Sequence, residues 1–564
     1  MFKKIYLKKF INKFTDRFKT SDFWFRVICG VCFGLAFPPV NFYPLIYIGI
    51  VLLIKEIIQC KTYNEVLRKT YAIFFWFNLV AVSWLWLSGM RQNADRFLII
   101  AGLLTLFAHP IFFWLPAAAF YKVYRSLKNF RYKYLYLISF PFIWVAFEYL
   151  HTLTQFSFPW LVFGNTQTYN LSKIQFIEYT GVYGLTFWIC IIGIMLFYFV
   201  EEQRKARWRN FTTQTNLLII SIIIVYLAPD AYTFVMNSPA KYSNAFTNGE
   251  INVGVVQPNS DPWEKWGGKQ MQVVNEYVDM IKELKEKNPQ LQLIVLPETA
   301  ITFPILQSSY YEKYMKFKNF VDSTNVPVLV GFPYYHVYKD SLSAPVDAKQ
   351  SGSGKYYDTF NAAALFEKNK NQEEFQIYKK NKLVIGGERI PYQETLSFLK
   401  DFVTWGVGIS QWQIGKDTIN FTLENGVQFN SAICYESVYP GYFAAFVKKG
   451  ADFCTIITND AWWGKLFGTY QHNQFAILRA VENRRWIARS ANTGISDFID
   501  PYGNKYDETE INVRASFAGK IGIIKEKTFY TEHGDWFSII CLWISAGVLA
   551  MSFITGFIKQ KSRS

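Results

Sequence analysis

Residues 419–436 read Ile419-Asn420-Phe421-Thr422-Leu423-Glu424-Asn425-Gly426-Val427-Gln428-Phe429-Asn430-Ser431-Ala432-Ile433-Cys434-Tyr435-Glu436. The Asn425-Gly426 pair, between the β-prone runs Ile419 to Phe421 and Val427 to Ala432, is a strong hairpin signal. The second run ends on a thiol and a carboxylate, so ionisable groups stand where a strand gives out. Upstream, Asn252 to Val256 reads as a buried strand, Glu264 to Lys287 as a helix and Gln292 to Leu296 as a strand. Tyr310 to Val321 follows as a helix, Val326 to Gly331 as a strand, and Phe360 to Phe366 and Phe375 to Tyr378 as two more strands. Downstream the pattern predicts a helix over Tyr442 to Lys449, a strand over Phe453 to Thr458, a helix over Gln471 to Asn483 and strands through Ile487 to Ile499. Such alternation predicts a layered α/β domain. Asp347 to Lys355, with Ser351-Gly352-Ser353-Gly354, reads as a flexible loop.

Outside this block the chain changes character. Of 564 residues, 51% are hydrophobic, 19% aromatic and only 18% charged, against about 25% charged in soluble domains. A disordered chain and a wholly soluble enzyme are both excluded. Apolar runs cover Phe23 to Phe37, Phe42 to Leu53, Tyr71 to Leu87, Phe97 to Tyr121, Tyr134 to Leu150, Ile174 to Val200, Leu217 to Met236 and Trp536 to Ile558. The first two are shorter than the ~20 residues that cross ~30 Å of hydrocarbon.

The net charge of +16 raises the question of nucleic acid, but the basic residues border apolar runs. Lys3, Lys4, Lys8, Lys9, Lys13, Arg17 and Lys19 precede the first run, and Lys61 with Arg68 and Lys69, Lys122 to Lys133, and Arg204 to Arg209 precede the third, fifth and seventh. The alternate connections are short or poor in Lys and Arg. Positive charge on the inner side then predicts a cytoplasmic amino terminus, an external block at 237–535, and a return to the basic tail of Lys559, Lys561 and Arg563. The division expected is 1–236 as a membrane domain of about seven helices, 237–535 as a catalytic domain, and 536–564 as a last helix and tail. The basic arm lacks a cleavage site and is expected to stay attached.

The seven cysteines are odd in number, and Cys29, Cys32, Cys190 and Cys541 fall in apolar stretches, so no disulfide framework is expected. Cys29 and Cys32 read as packing residues despite their C-x-x-C spacing. His109, His151, His336, His472 and His533 show no metal-ligand spacing; neither metal nor cofactor is expected.

Three stretches put reactive groups at strand ends, where open α/β sheets build their sites: Leu296-Pro297-Glu298, Tyr378-Lys379-Lys380 and Ala432-Ile433-Cys434-Tyr435-Glu436. A thiol of pKa ~8.5 facing a carboxylate near ~4.3 must give up its proton uphill by roughly 6 kcal/mol. Burial of Glu298 and the Lys380 ammonium beside Cys434 are expected to narrow that gap, with no histidine required.

Glu, Lys and Cys in this chain order resemble the nitrilase superfamily. The membrane context is similar to its membrane-embedded branch, the apolipoprotein N-acyltransferases. Further resemblance lies in Phe158-Pro159-Trp160-Leu161 with Phe163-Gly164, Lys265-Trp266, Lys380-Asn381 before Gly387-Glu388, Thr458-Asn459-Asp460-Ala461-Trp462 with Gly464, Gln471-His472, and Arg489 with Ala491-Asn492-Thr493-Gly494. The resemblance implies an α-helical multi-span membrane domain plus an α/β nitrilase-like domain, an αββα sandwich. It implies Glu298 as base, Lys380 as oxyanion-stabilising cation and Cys434 as nucleophile, Glu388 and Glu436 as supporting carboxylates, and Trp266, Asn361, Tyr435 and Trp462 as substrate-binding residues. His151, Lys382 and Ile385 depart from the family pattern, which has arginine, histidine and proline there. Leu396 to Trp412 and the exposed-looking Trp462-Trp463 read either as core or as a lipid-facing lid.

The expected activity, again by resemblance, is ping-pong transfer of an acyl chain from a phospholipid, through a Cys434 thioester, to the amino terminus of a diacylglyceryl-cysteine lipoprotein. This is the last step of bacterial lipoprotein maturation, in a monomer of the inner membrane whose catalytic domain faces the periplasm. A membrane-anchored amidase using the same residues with water stays open as an alternative, as does a transporter or receptor whose external domain only binds.

Overall fold

The computed structural model describes residues 20–92, 94–129, 134–206, 212–236, 248–261, 263, 270–393 and 411–561. The amino-terminal arm and parts of two basic connections lie outside these residues. Four helices are long and apolar enough to cross a membrane: Phe97–Leu127, Ile177–Lys205, Thr213–Val235 and Trp536–Thr555. They mark a membrane protein. Helices Ser21–Leu35 and Leu45–Gln59 have 15 residues each, a rise of only ~22 Å. Gly30 and Gly34 let Ser21–Leu35 lie directly on Tyr63–Ala81, since a Cβ on Gly30 would meet the Ile73 carbonyl oxygen at 2.3 Å. The Phe97 run is interrupted by a 3-10 turn at His109–Ile111, where Pro110 has no amide to continue the α-helical ladder.

The later block holds thirteen strands among the described residues: β1 (Glu250–Gln257), β2 (Leu293–Val295), β3 (Val328–Val337), β4 (Lys349–Gln350), β5 (Tyr356–Phe366), β6 (Gln376–Lys379), β7 (Phe421–Thr422), β8 (Gln428–Ile433), β9 (Phe453–Thr458), β10 (Ile487–Ala491), β11 (Asp497–Ile499), β12 (Lys505–Tyr506) and β13 (Ala515–Gly522). One sheet has the order β13-β1-β2-β3-β5-β4 with β6 beside β5; the other runs β12-β11-β10-β9-β8-β7. Alternation along the strands builds the layers. Val253, Val255, Leu293 and Val295 meet Phe429, Ile433, Phe453 and Ile457 between the sheets. Val256, Ile294 and Leu296 instead pack under helices Gln270–Lys287 and Tyr311–Thr324. On the far side Ala432, Cys454 and Ile456 join helix Phe467–Asn483 and the membrane helices in one continuous core. The fold is therefore the expected αββα sandwich seated on apolar helices.

Polar ties fix that seat. Gln471, fully buried, accepts from the indoles of Trp84 (2.9 Å) and Trp160 (2.6 Å) and donates to the carbonyls of Pro38 and Ala81. Arg484 pairs with Glu178 at 3.0 Å and donates to the Gln175 side chain at 2.6 Å. Glu482 accepts the Val182 amide at 2.8 Å where Gly181, at φ +64, breaks the helical conformation of Ile177–Lys205.

Two readings are corrected. Asp347 to Lys355 is not a free loop: Lys349–Gln350 pair with Tyr356 and Tyr357, and the Ser-Gly run is a turn closed by the Ser351 amide on the Lys355 carbonyl. β13 was absent from the predicted strands, yet it pairs with all eight residues of β1. The cysteines match expectation. All seven are free and buried, and Cys29 donates to the Gly49 carbonyl at 3.4 Å.

Candidate active site

β2, β6 and β8 each release the chain at the same end of the sandwich, bringing Glu298, Lys380 and Cys434 together from three distant parts of the sequence. Lys380 leads onward from β6 with its amide bonded to the Asn361 carbonyl of β5 at 2.8 Å. Its side chain is 1% exposed, and the ammonium lies 3.0 Å from Glu298 Oε1 and 2.9 Å from Glu388 Oε1. Asn361 Nδ2 donates to the same two oxygens, at 2.7 and 3.0 Å. The outer oxygens are held by backbone: the Asn459 amide donates to Glu298 Oε2 at 3.0 Å and the Val384 amide to Glu388 Oε2 at 2.8 Å. Both carboxylates are thus locked against a single cation. Asn361, expected at the substrate, is a carboxylate clamp; only its Oδ1 lacks a partner.

Burial alone would pull the Lys380 ammonium down, but Glu298 and Glu388, with Cys434, outweigh it and hold its pKa well above that of an ordinary lysine. The Lys380 ammonium does pull the Cys434 thiol downward, as expected, but it is outweighed. Burial and the Glu298 carboxylate push it well above the usual value, against the opposing pull of Lys380 and the Thr458 hydroxyl. Burial thus favours the neutral form of the thiol.

Cys434 opens a 3-10 turn directly after β8 with φ of 52°, a left-handed conformation that costs a β-carbon-bearing residue about 1–3 kcal/mol. Glu436 helps hold this elbow from below. Its Oε2 accepts the Ile433 amide at 2.9 Å, and its Oε1 accepts the Tyr378 hydroxyl at 2.6 Å and the Asn381 and Lys382 amides at 2.6 and 3.2 Å. Burial pushes its carboxyl upward against these donors. Glu436 therefore ties the chain leaving Lys380 to the chain entering Cys434. Tyr435 turns toward the membrane helices, donating to the Ser157 carbonyl at 3.1 Å and lying parallel to Trp160.

A second buried cluster stands behind Cys434; its members fall in the stretches Thr458 to Asp460, Gln471-His472 and Arg489 noted above for their resemblance, but their meeting in space was not legible because they sit on different elements. Asp460, after β9, accepts from the Thr458 hydroxyl (2.8 Å) and Arg489 (2.9 Å), and His472 Nδ1 lies 2.8 Å from the same carboxylate and 3.1 Å from the Arg489 guanidinium. Burial would raise the Asp460 carboxyl, yet Arg489 and His472 hold it well below the usual carboxylate range. Cys434, Asp460 and His472, which have no metal-ligand spacing in sequence, bring ligand-type atoms within 4.8 Å of one another. Asp460 is already neutralised by Arg489, which disfavours a cation there.

Trp266 and residues 396–410 of the suggested lid lie outside the described residues. Trp462 is half-buried edge-on to Trp263, with ring centroids 4.9 Å apart, and Trp463 packs on Trp84 and Trp160. Lys382 lies over the rings of Tyr439 and Tyr442, and His151 is stacked on Phe147.

A family profile described as the apolipoprotein N-acyltransferase N-terminal domain matches residues 29–195, and one for carbon-nitrogen hydrolases matches 252–506. A relative from Chlorobaculum tepidum named apolipoprotein N-acyltransferase is 31% identical over 95% of this chain and 97% of its own. The chain belongs to the apolipoprotein N-acyltransferase family. A Geobacter metallireducens relative of the same name is 26% identical over 95% of this chain and 96% of its own. Among solved structures, Saccharomyces cerevisiae Nit3 of the nitrilase superfamily aligns with a TM-score of 0.35 and 14% identity, over 50% of this chain and 93% of that one. As a member of the apolipoprotein N-acyltransferase family the protein is an enzyme, an acyltransferase.

Proposed function

We propose that this protein moves an acyl chain from a membrane phospholipid to the terminal amine of a diacylglyceryl-cysteine lipoprotein, with Cys434 as the intermediate acyl carrier. The observation that carries the reading is Cys434 on a strained elbow next to one buried lysine shared by two carboxylates. As sulfur attacks the ester carbonyl, its proton passes to Glu298, and the new oxyanion is held by Lys380 and the Tyr435 amide. Collapse expels the lysophospholipid oxygen, which takes the proton from Glu298 and leaves a thioester. The lipoprotein amine then attacks, Glu298 takes its proton, and sulfur leaves as the amide forms and is reprotonated. Apolar helices on both sides of the catalytic block in sequence support delivery of lipid without its leaving the bilayer.

The same reading places 237–535 in the periplasm above an inner-membrane domain of about seven helices, with the last helix returning the chain to the cytoplasm. Labelling of Ser353→Cys by an impermeant maleimide in cells with a permeabilised outer membrane is expected; labelling only after lysis would reverse the topology. Incubating the purified protein with phospholipid and a diacylated lipopeptide is expected to give triacylated peptide and lysophospholipid in equal amounts. Free fatty acid formed at one rate with or without lipopeptide would instead make the protein a hydrolase.

A further inference from the structure

His472 is fully buried and stands in no step above. Its Nδ1 meets Asp460 at 2.8 Å, while Nε2 faces the Cys434 carbonyl oxygen at 3.1 Å and the Ser437 hydroxyl at 2.9 Å. Ser437 in turn donates to the Cys434 carbonyl at 2.8 Å. The Arg489 guanidinium, which can only donate, lies 3.1 Å from Nδ1; with that nitrogen accepting, the proton of a neutral ring sits on Nε2 and is given to the Cys434 oxygen, which then accepts from both His472 and Ser437.

That carbonyl belongs to the same planar unit as the Tyr435 amide. The Cys434–Tyr435 peptide is trans, so its C=O and N–H point in opposite directions. Fixing the oxygen behind the elbow therefore aims the Tyr435 N–H out of its front, on the side where negative charge develops. Hydrogen bonds to the carbonyl also polarise the N–H and strengthen it as a donor. Asp460, held by Arg489 and Thr458, keeps the imidazole from turning away.

We infer that His472, seated on Asp460 and assisted by Ser437, is a positioning residue that sets the Cys434–Tyr435 peptide so that the Tyr435 amide serves as the second oxyanion donor beside Lys380. The inference rests on Cys434 being the acyl acceptor. Its location couples the two halves of the molecule, because the preceding residue, Gln471, is the one bound by Trp84 and Trp160.

Two reactions of the same sulfur test it. Acylation passes through an oxyanion; alkylation by iodoacetamide does not. With mixed micelles of dioleoyl phosphatidylethanolamine and detergent as donor, His472→Ala is expected to slow acyl-enzyme formation by about 10²-fold, the scale for losing one oxyanion donor. Alkylation of Cys434, located by peptide mass, should be unchanged. His472→Gln, which keeps a donor near the Nε2 position, should recover most of the acylation rate. Parallel loss of both reactions, or loss of neither, would overturn the assignment. Should His472→Ala not fold, Ser437→Ala removes the other donor from the same carbonyl and must show the same selective loss; an equal effect on alkylation again overturns it. Failure of the unsubstituted protein to form any acyl-enzyme would be a different result, sinking the role of Cys434 itself.

Discussion

Two buried ionic clusters flank Cys434, and they differ in how their charges close. In front, one ammonium is shared by two carboxylates, each also held by backbone amides. Behind, one carboxylate is met by a guanidinium, an imidazole and a hydroxyl. The front cluster holds negative charge in excess and has room for one more proton, the one the thiol would lose in the proposed transfer. The rear cluster is closed, so it can brace the elbow and do little else. Both clusters are buried; stoichiometry separates the proposed chemistry from support.

Substituting each side in turn should expose that difference. Glu298→Gln keeps the shape and the contacts to Lys380 and Asn361 but removes the proposed base, so acyl-enzyme formation should slow by ~10²–10⁴-fold with little change in thermal unfolding. Arg489→Met should do the reverse in kind, leaving Asp460 buried and uncompensated at a cost of ~3–5 kcal/mol in stability. Unfolding measurements showing Glu298→Gln as the more destabilised of the two would erase the comparison.

A finer probe is Asp497, which neighbours the rear cluster on β11 yet lacks its closure. It accepts from Asn473 at 2.7 Å, its other oxygen has no partner, and burial pushes it up to about 6 from 3.8, against the pull of Lys505 and Arg489. A carboxyl whose folded pKa is raised favours the folded state while protonated. Its contribution is complete below about 4 and is lost as pH rises through about 6, a change of roughly 3 kcal/mol. Unfolding curves across that window should therefore flatten in Asp497→Asn. Equal slopes in the two proteins would remove Asp497 from the account. The smallest effect is expected at Cys454, fully buried on β9: alanine there should cost about 1 kcal/mol and leave acyl transfer intact, whereas Cys434→Ala abolishes it. Loss of transfer in a folded Cys454→Ala would reopen the choice of nucleophile.

The elements legible in the sequence were those whose side chains carry their own pattern. β9 was expected at Phe453 to Thr458 and occupies those residues, and Asn425-Gly426 does turn β7 into β8. β13 was missed because Ala515-Ser516-Phe517-Ala518-Gly519-Lys520-Ile521-Gly522 is small and glycine-bearing; it extends because β1 offers it an edge. Glu298, Lys380 and Cys434 were singled out at strand ends, and as a set only by their resemblance to the nitrilase superfamily. Their electrostatic balance was not legible, since Asn361, Glu388 and Asp460 act across elements far apart in the chain. His472 was visible only as half of a Gln-His pair, its role set by a carbonyl 38 residues away.

The central claim is that Cys434 carries the acyl chain. Intact-mass measurement of the purified protein given phospholipid without any amine acceptor tests it most directly. One added acyl chain is predicted, released by neutral hydroxylamine as a thioester, absent from Cys434→Ala, and discharged to an amide when a diacylated lipopeptide is supplied. A protein that triacylates the lipopeptide while never gaining mass on Cys434, under phospholipid alone and under rapid quench, would contradict the account.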